Sequence, residues 1–431
     1  MFSGMVETYS DNLEALRDFV GLLSPVLSKA HEDEIKSDPI SFLPAILAMD
    51  AINQSLSDER KKSLLERFDG DIELDVRTDS DSKSVSVKVR GKGNVDFQNM
   101  MERVSRRSYQ IDLLYQNSLI SLVSASEWFL SQVLHTYYST YPDASGVNDH
   151  SLKFSDLLEI GSIDEARKYL LDEKIESILR GSFTDWIEYL KSNLKLSMGY
   201  LDDFRDHVIE AFQRRNLLVH NGGKINGIYL KKVPVSKRPA METGMPIVVS
   251  QEYLDECISI FEKCFVLIGL ELWKKVELKS GDRAKVLMKL IYRHLLAGRW
   301  DIAESLSYFM MNDKNVEEQY CLIGKINYWQ SLKWQGRFDQ VVEDIKVADF
   351  SAKEDQFKLA QLALLDKYDE FFVYLPAVIR SEKLTSCDVQ EWPLFRNIRK
   401  TDAYRSWLES VSAVSSCRDA AKDDTCNSEN L

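Results

Sequence analysis

At 431 residues, 44% hydrophobic and 29% charged with only 18 glycines and 9 prolines, the chain is too long for one ordinary core and leans towards helix. Its net charge of −13 argues against a general nucleic-acid coat, because phosphate binding needs a local positive field; local basic clusters such as Arg103, Arg106 and Arg107 still leave room for a pocket. No run of about eighteen apolar residues occurs, and the opening MFSGMVETYSDN lacks a signal-peptide layout, so no membrane partner and a cytoplasmic location are expected. The six cysteines form no C-x-x-C pair and are expected to be reduced, mostly core-filling thiols.

The expected fold class is mainly α, in four parts: helices plus a β-hairpin over 1–96, a helical bundle over 97–280, helical repeats over 281–411 and a disordered tail over 412–431. In the first part, Leu13, Leu16, Phe19, Val20, Leu23 and Leu27 mark an amphipathic helix over 7–30, and further helices are expected over 40–55 and 57–68. The period then changes to two: Ile72, Leu74 and Val76, then Val85, Val87 and Val89, predict a hairpin with one buried face. This part has no residues of catalytic type and reads as a small α+β module.

From Phe97 the helical period returns. Leu114, Leu119, Leu122, Val123, Ser126, Phe129, Leu130 and Val133 predict one long buried helix ending before Pro142, with Glu127 as a carboxylate at the edge of the core or a counter-charge for an arginine. Two or three shorter helices follow over 152–197. Another, about 200–220, stops at Asn221-Gly222-Gly223, since glycine adopts the left-handed cap conformation freely. Ile228-Tyr229-Leu230 and Ile247-Val248-Val249 read as extended, and a last helix over 250–277 closes the bundle.

The chemistry concentrates at the end of the helix that stops at Gly222. Asn216 and His220 are four apart and share a face, within reach of an amide-to-imidazole hydrogen bond. Arg215 is turned about 140° away, but its length lets its head reach the same cleft. A histidine that exchanges a proton near neutrality, beside an arginine that clamps phosphate, is a minimal apparatus for phosphodiester cleavage. RNA suits it, because the 2′-hydroxyl is its own nucleophile. Neither HExxH, paired Cys/His spacing, P-loop nor GxGxxG occurs, so no metal or cofactor is expected.

The stretch RNLLVHNGG, late in an all-α bundle whose early helix reads SLISLVSASEWFLSQVL, resembles the HEPN domain family, with Arg215, Asn216 and His220 matching its motif. The resemblance covers roughly 97–280. It implies a HEPN-like bundle and a metal-independent endoribonuclease with a site shared across a homodimer, leaving cyclic phosphate and 5′-hydroxyl ends, as in bacterial toxins and anti-phage defence effectors. Arg214, Glu127 and Asn221 would be auxiliary, and Lys224, Lys231 and Lys232 would bind the RNA partner. The tyrosine that one branch of the family modifies is replaced here by Gly223. The alternative is a non-catalytic scaffold or sensor that binds a protein or RNA partner.

Over 281–411, three similar turns recur: Gly298-Arg299-Trp300-Asp301, Gly336-Arg337-Phe338-Asp339 and Asp366-Lys367-Tyr368-Asp369. Their offsets of 38 and 30 residues average the period of a tetratricopeptide repeat, so the region resembles a short, degenerate TPR-like array with a possible protein partner. Each turn is expected between two apolar helices, with Tyr308, Phe309, Tyr328, Trp329 and Trp334 as core.

Overall fold

The computed structural model describes residues 1–37, 57, 59, 73–79, 84–90, 94–147, 151–351, 353–382 and 384–411. The chain is mainly helical, and among the described residues no helix is long and apolar enough to cross a membrane. The helix expected over 40–55, all but residues 57 and 59 of the one expected over 57–68, and the tail 412–431 lie outside the described residues. Helix α1 spans Phe2–Ser37; backbone strands β1 (Glu73–Asp79) and β2 (Ser84–Arg90) pair antiparallel, with Leu74 opposite Val89 and Val76 opposite Val87. Then come α2 (Asn94–Thr140), α3 (Phe154–Ile160), α4 (Ile163–Leu179), α5 (Phe183–Ser192), α6 (Arg205–His220), α7 (Gly227–Lys232) and α8 (Gln251–Val276).

The chain forms two compact units, each drawn from separate stretches: Met1–Asp11, Ser126–Arg205 and Ser259–Leu431 in the larger, Asn12–Ala125 and Asp206–Ile258 in the smaller. The boundaries expected near 97 and 281 do not coincide with these: three divisions fall inside the long helices α1, α2 and α8, and the fourth just after the first residue of α6. Long helices outrun a single core, and their two ends find different neighbours.

In the larger unit the start of α1 belongs to the core rather than to a separate module. Tyr9 stacks on Phe129 with ring centroids 4.5 Å apart and hydrogen-bonds Ser126 at 2.7 Å. Phe265 and Phe261 extend the aromatic stack, and Gly269 lets Phe129 in: a Cβ there would lie 2.7 Å from its Cζ. Trp186, Ile187 and Leu190 of α5 are buried. In the smaller unit, Ser24 of α1 hydrogen-bonds Tyr115 of α2 at 2.6 Å, and Gln251 of α8 accepts from both hydroxyls at 3.1 Å.

The C-terminal part of the larger unit contains α9 (Gly281–Leu296), α10 (Trp300–Met311), α11 (Glu318–Trp334), α12 (Val342–Val347), α13 (Asp355–Leu364), α14 (Tyr368–Arg380), α15 (Ser386–Glu391) and a helix over 402–411. The three turns are built alike. Gly298, Gly336 and Asp366 all have left-handed φ, at 71°, 75° and 55°. The next amide returns to the carbonyl five residues back in each case, Arg299 to His294, Arg337 to Leu332 and Lys367 to Leu362, at 2.9 to 3.0 Å, which satisfies carbonyls left over at a helix end. One expectation fails: the second turn leads not into a full helix but into a 3-10 turn, Phe338–Gln340, and the six-residue α12. β-Branched Val341, Val342 and Val347 disfavour helix there.

Candidate functional site

All the motif residues of the opening expectation except Glu127 lie in the smaller unit, on α6 and the segment after it. Helix α6 ends as foreseen: Gly222 and Gly223 have φ of 58° and 70°, and the amides of Asn221 and Gly223 both return to the Leu217 carbonyl at 2.9 and 3.0 Å. His220 is the last helical residue and is exposed; Asn216 and Arg215, a turn earlier, are half-buried.

What holds this helix end is a buried polar network that the motif does not contain. Glu210, 2% exposed, accepts a hydrogen bond from Arg214 Nε at 2.7 Å, another from the Tyr229 hydroxyl at 2.6 Å and a third from the Tyr253 hydroxyl. Arg214 donates its other arm to the Val248 carbonyl and lies 3.8 Å above the Tyr253 ring. One carboxylate and one guanidinium thereby clasp α6, α7, the 248 strand-like segment and α8. Burial opposes the charge on Arg214, but Tyr253 and Glu210 outweigh it and raise its pKa. Burial and the Glu210 carboxylate also push the Tyr229 phenol up, so it stays a donor.

Arg214 is therefore not available as a second phosphate ligand. The 100° step between neighbours on a helix sends it into the core and leaves Arg215 half-buried. The expected hydrogen bond between Asn216 and His220 is also not made among the described residues; four-residue spacing puts side chains side by side without compelling a bond between them. Asn221 is used locally, its amide donating to the Lys224 carbonyl at 2.5 Å. Glu127 sits half-buried on α2 in the larger unit.

The stretch Ile228-Tyr229-Leu230, expected to be extended, is helical. Asn226 caps α7 by accepting from the Tyr229 amide at 2.9 Å, and helical spacing carries Tyr229 and Val233 into a small core with Leu217, Ile225 and Ile247. Residues 247–249 are extended, with Ile247 and Val249 buried and Val248 exposed; their ladder is short, a bridge from Lys224 to Pro246 and a 2.7 Å bond from the Ile247 amide to the Gly223 carbonyl. Lys224, Lys231 and Lys232 are all exposed, the last two in the final turn of α7.

Sequence reasoning missed two groups. Besides the Glu210 network, His207 near the start of α6 has its Nε2 2.5 Å from Lys237 Nζ and 3.0 Å from Glu256; burial, more than any other influence, lowers its pKa. The four-residue step from Glu210 to Arg214 is the one signal spacing offered; the other partners are 19 to 49 residues away in the chain. Among the described residues, no three His, Cys, Asp or Glu side chains are grouped to hold a metal ion. Compared with protein-family models, characterised proteins and solved structures, the chain matches none.

Proposed function

We propose that the end of α6 is a HEPN-type half-site and that the chain is an RNA endonuclease working without a metal ion as a homodimer, the bundle being HEPN-like and the C-terminal helix pairs TPR-like. The observation that carries this reading is the placement of the motif: His220 exposed on the last turn, Arg215 and Asn216 one turn back, and the helix beneath them clamped by Glu210 and Arg214. Rigid support of this kind is what a proton-transfer group needs if it is to meet its substrate at hydrogen-bond distance. The exposed Lys224, Lys231 and Lys232 add positive charge for a phosphate backbone on an otherwise acidic chain.

In this mechanism His220 takes the proton of an RNA 2′-hydroxyl. The 2′-oxygen attacks the adjacent phosphorus, and the bond to the 5′-oxygen breaks, leaving a 2′,3′-cyclic phosphate. The departing 5′-oxygen gains a proton from the His220 of the second copy. Arg215 balances the negative charge that builds on the phosphoryl oxygens. A non-catalytic scaffold is the second reading, and the lack of a bond from Asn216 to fix the His220 ring favours it.

Incubating the full chain with RNA in EDTA separates the two. Cleavage with cyclic-phosphate ends is expected, with a loss of at least ~100-fold in His220→Ala and in Arg215→Ala at unchanged melting temperature. Normal cleavage by His220→Ala, or loss of cleavage in EDTA with recovery on adding a metal, would sink the nuclease reading.

A further inference from the structure

The larger unit contains a cavity of about 490 Å³, within the range of small-ligand sites. Its walls are α8, the 3-10 turn Gly199–Leu201 with the residues around it, α10 and α11. Helical spacing explains them: Leu267, Glu271 and Lys274 recur along one face of α8, as do Glu304 and Tyr308 along α10, with Asn312 at its C-cap. The aromatic residues of this region were expected to be core, but only Trp329 is buried; Tyr308 is 53% exposed, its ring 5.7 Å from that of Tyr328, and both line the cavity with Phe204 and Phe309.

Four charged side chains line the space and three are acidic. Lys274 is committed, 3.4 Å from Asp313 and 5.6 Å from the Phe309 ring centroid, and Glu304 is held by Arg337 at 2.8 Å and Gln335 at 2.7 Å. Glu271 is different: half-buried, it makes no hydrogen bond or ion pair among the described residues. Burial pushes its carboxyl above the ordinary range in spite of Lys274 and Arg283 nearby. Burial and the adjacent Glu271 also push the Tyr200 phenol well up, so that it remains a neutral donor. A half-buried carboxyl that makes no ion pair among the described residues, in a cavity that aromatic rings also line, suits a cation: the charge supplies a direct partner, and the negative faces of the rings attract it. An anion would meet the acidic majority and find the one lining cation already engaged.

We propose that this cavity binds a small organic cation, an ammonium carried on an apolar or aromatic body, with Glu271 as its counter-charge and Tyr308, Tyr328 and Phe204 as its walls. This site is separate from the α6 motif and does not depend on RNA cleavage. Titration calorimetry of the full chain with 2-phenylethylammonium, 2-phenylethanol and phenylacetate tests it. Saturable binding of the amine is expected, about tenfold weaker binding of the alcohol and none of phenylacetate. Glu271→Gln should weaken the amine about tenfold without lowering the melting temperature, because the amide keeps the shape and removes a desolvated acid. Tyr308→Ala, at an exposed ring, should weaken it too and carries the test if the first variant fails to fold. Absence of saturable amine binding at millimolar concentration, tighter binding of phenylacetate, or wild-type affinity in a folded Glu271→Gln would each overturn the proposal.

Discussion

Arg214 and Arg215 are adjacent in sequence and differ in burial. The first is 6% exposed, with its charge matched by Glu210 and its face covered by Tyr253; the second is half-buried on a helix whose end is open to solvent. Removing one member of a buried pair strands the other, so Glu210→Ala or Arg214→Ala should each cost about 3–5 kcal/mol in urea unfolding. A cost below about 1 kcal/mol would mean that the network does not hold the site. Two other carboxylates bear on stability in acid. Burial would raise Asp313 and Asp366, but Arg283 in the first case and Lys333 with Tyr368 in the second outweigh it and hold both below the ordinary carboxylate value. With the folded pKa depressed, the unfolded chain binds more protons on acidification. Their stabilisation is therefore present above pH ~4 and is lost as pH falls through the folded values. Melting temperatures from pH 7 down to pH 2.5 should fall less steeply in Asp313→Asn than in the parent, from a lower starting point; parallel curves would exclude the coupling.

Elements meet closely where a side chain is missing. A Cβ on Gly324 of α11 would lie 2.9 Å from the Met311 backbone nitrogen and 3.1 Å from the Met310 Cβ, so α10 and α11 pack at that distance only because residue 324 has none. Gly336, by contrast, has open space around it and needs glycine only for its φ of 75°. Gly324→Ala should therefore lose about 1–3 kcal/mol through displaced backbone, against about 1 kcal/mol for Gly336→Ala. Equal losses in thermal unfolding would show that helix contact is not the constraint. Successive turns are also tied side chain to side chain: Arg337 reaches back to Glu304 at 2.8 Å, and Lys333 reaches forward to Asp366 at 2.7 Å. Asp366 can take the left-handed position that glycine holds in the other two turns partly because its carboxylate is bonded by Lys333 and Tyr368.

For the whole molecule, the proposed chemistry needs a second copy, since one His220 cannot be both base for the 2′-hydroxyl and acid for the leaving oxygen in a single concerted step. Cleavage per chain should then fall on dilution in parallel with the dimer fraction measured by sedimentation. Constant specific activity in a chain shown to be monomeric would rule out a shared site. High salt should also slow cleavage, because Lys224, Lys231 and Lys232 would act through solvent-screened charge.

Local patterns, read without any structure, determined the long helices, the glycine stop after His220, the three recurrent turns and the motif itself, since each depends on residues a few positions apart. The single-turn α7 was misread because three apolar residues fit strand and helix equally; only packing against Leu217 and Ile247 chose between them. Tertiary structure alone decided that Arg214 is a clasp, that Asn216 does not bond His220, and that Tyr308, Phe309 and Tyr328 line a cavity. These outcomes turn on burial and on contacts such as Arg214 with Val248 and Tyr253, and spacing carries no record of them.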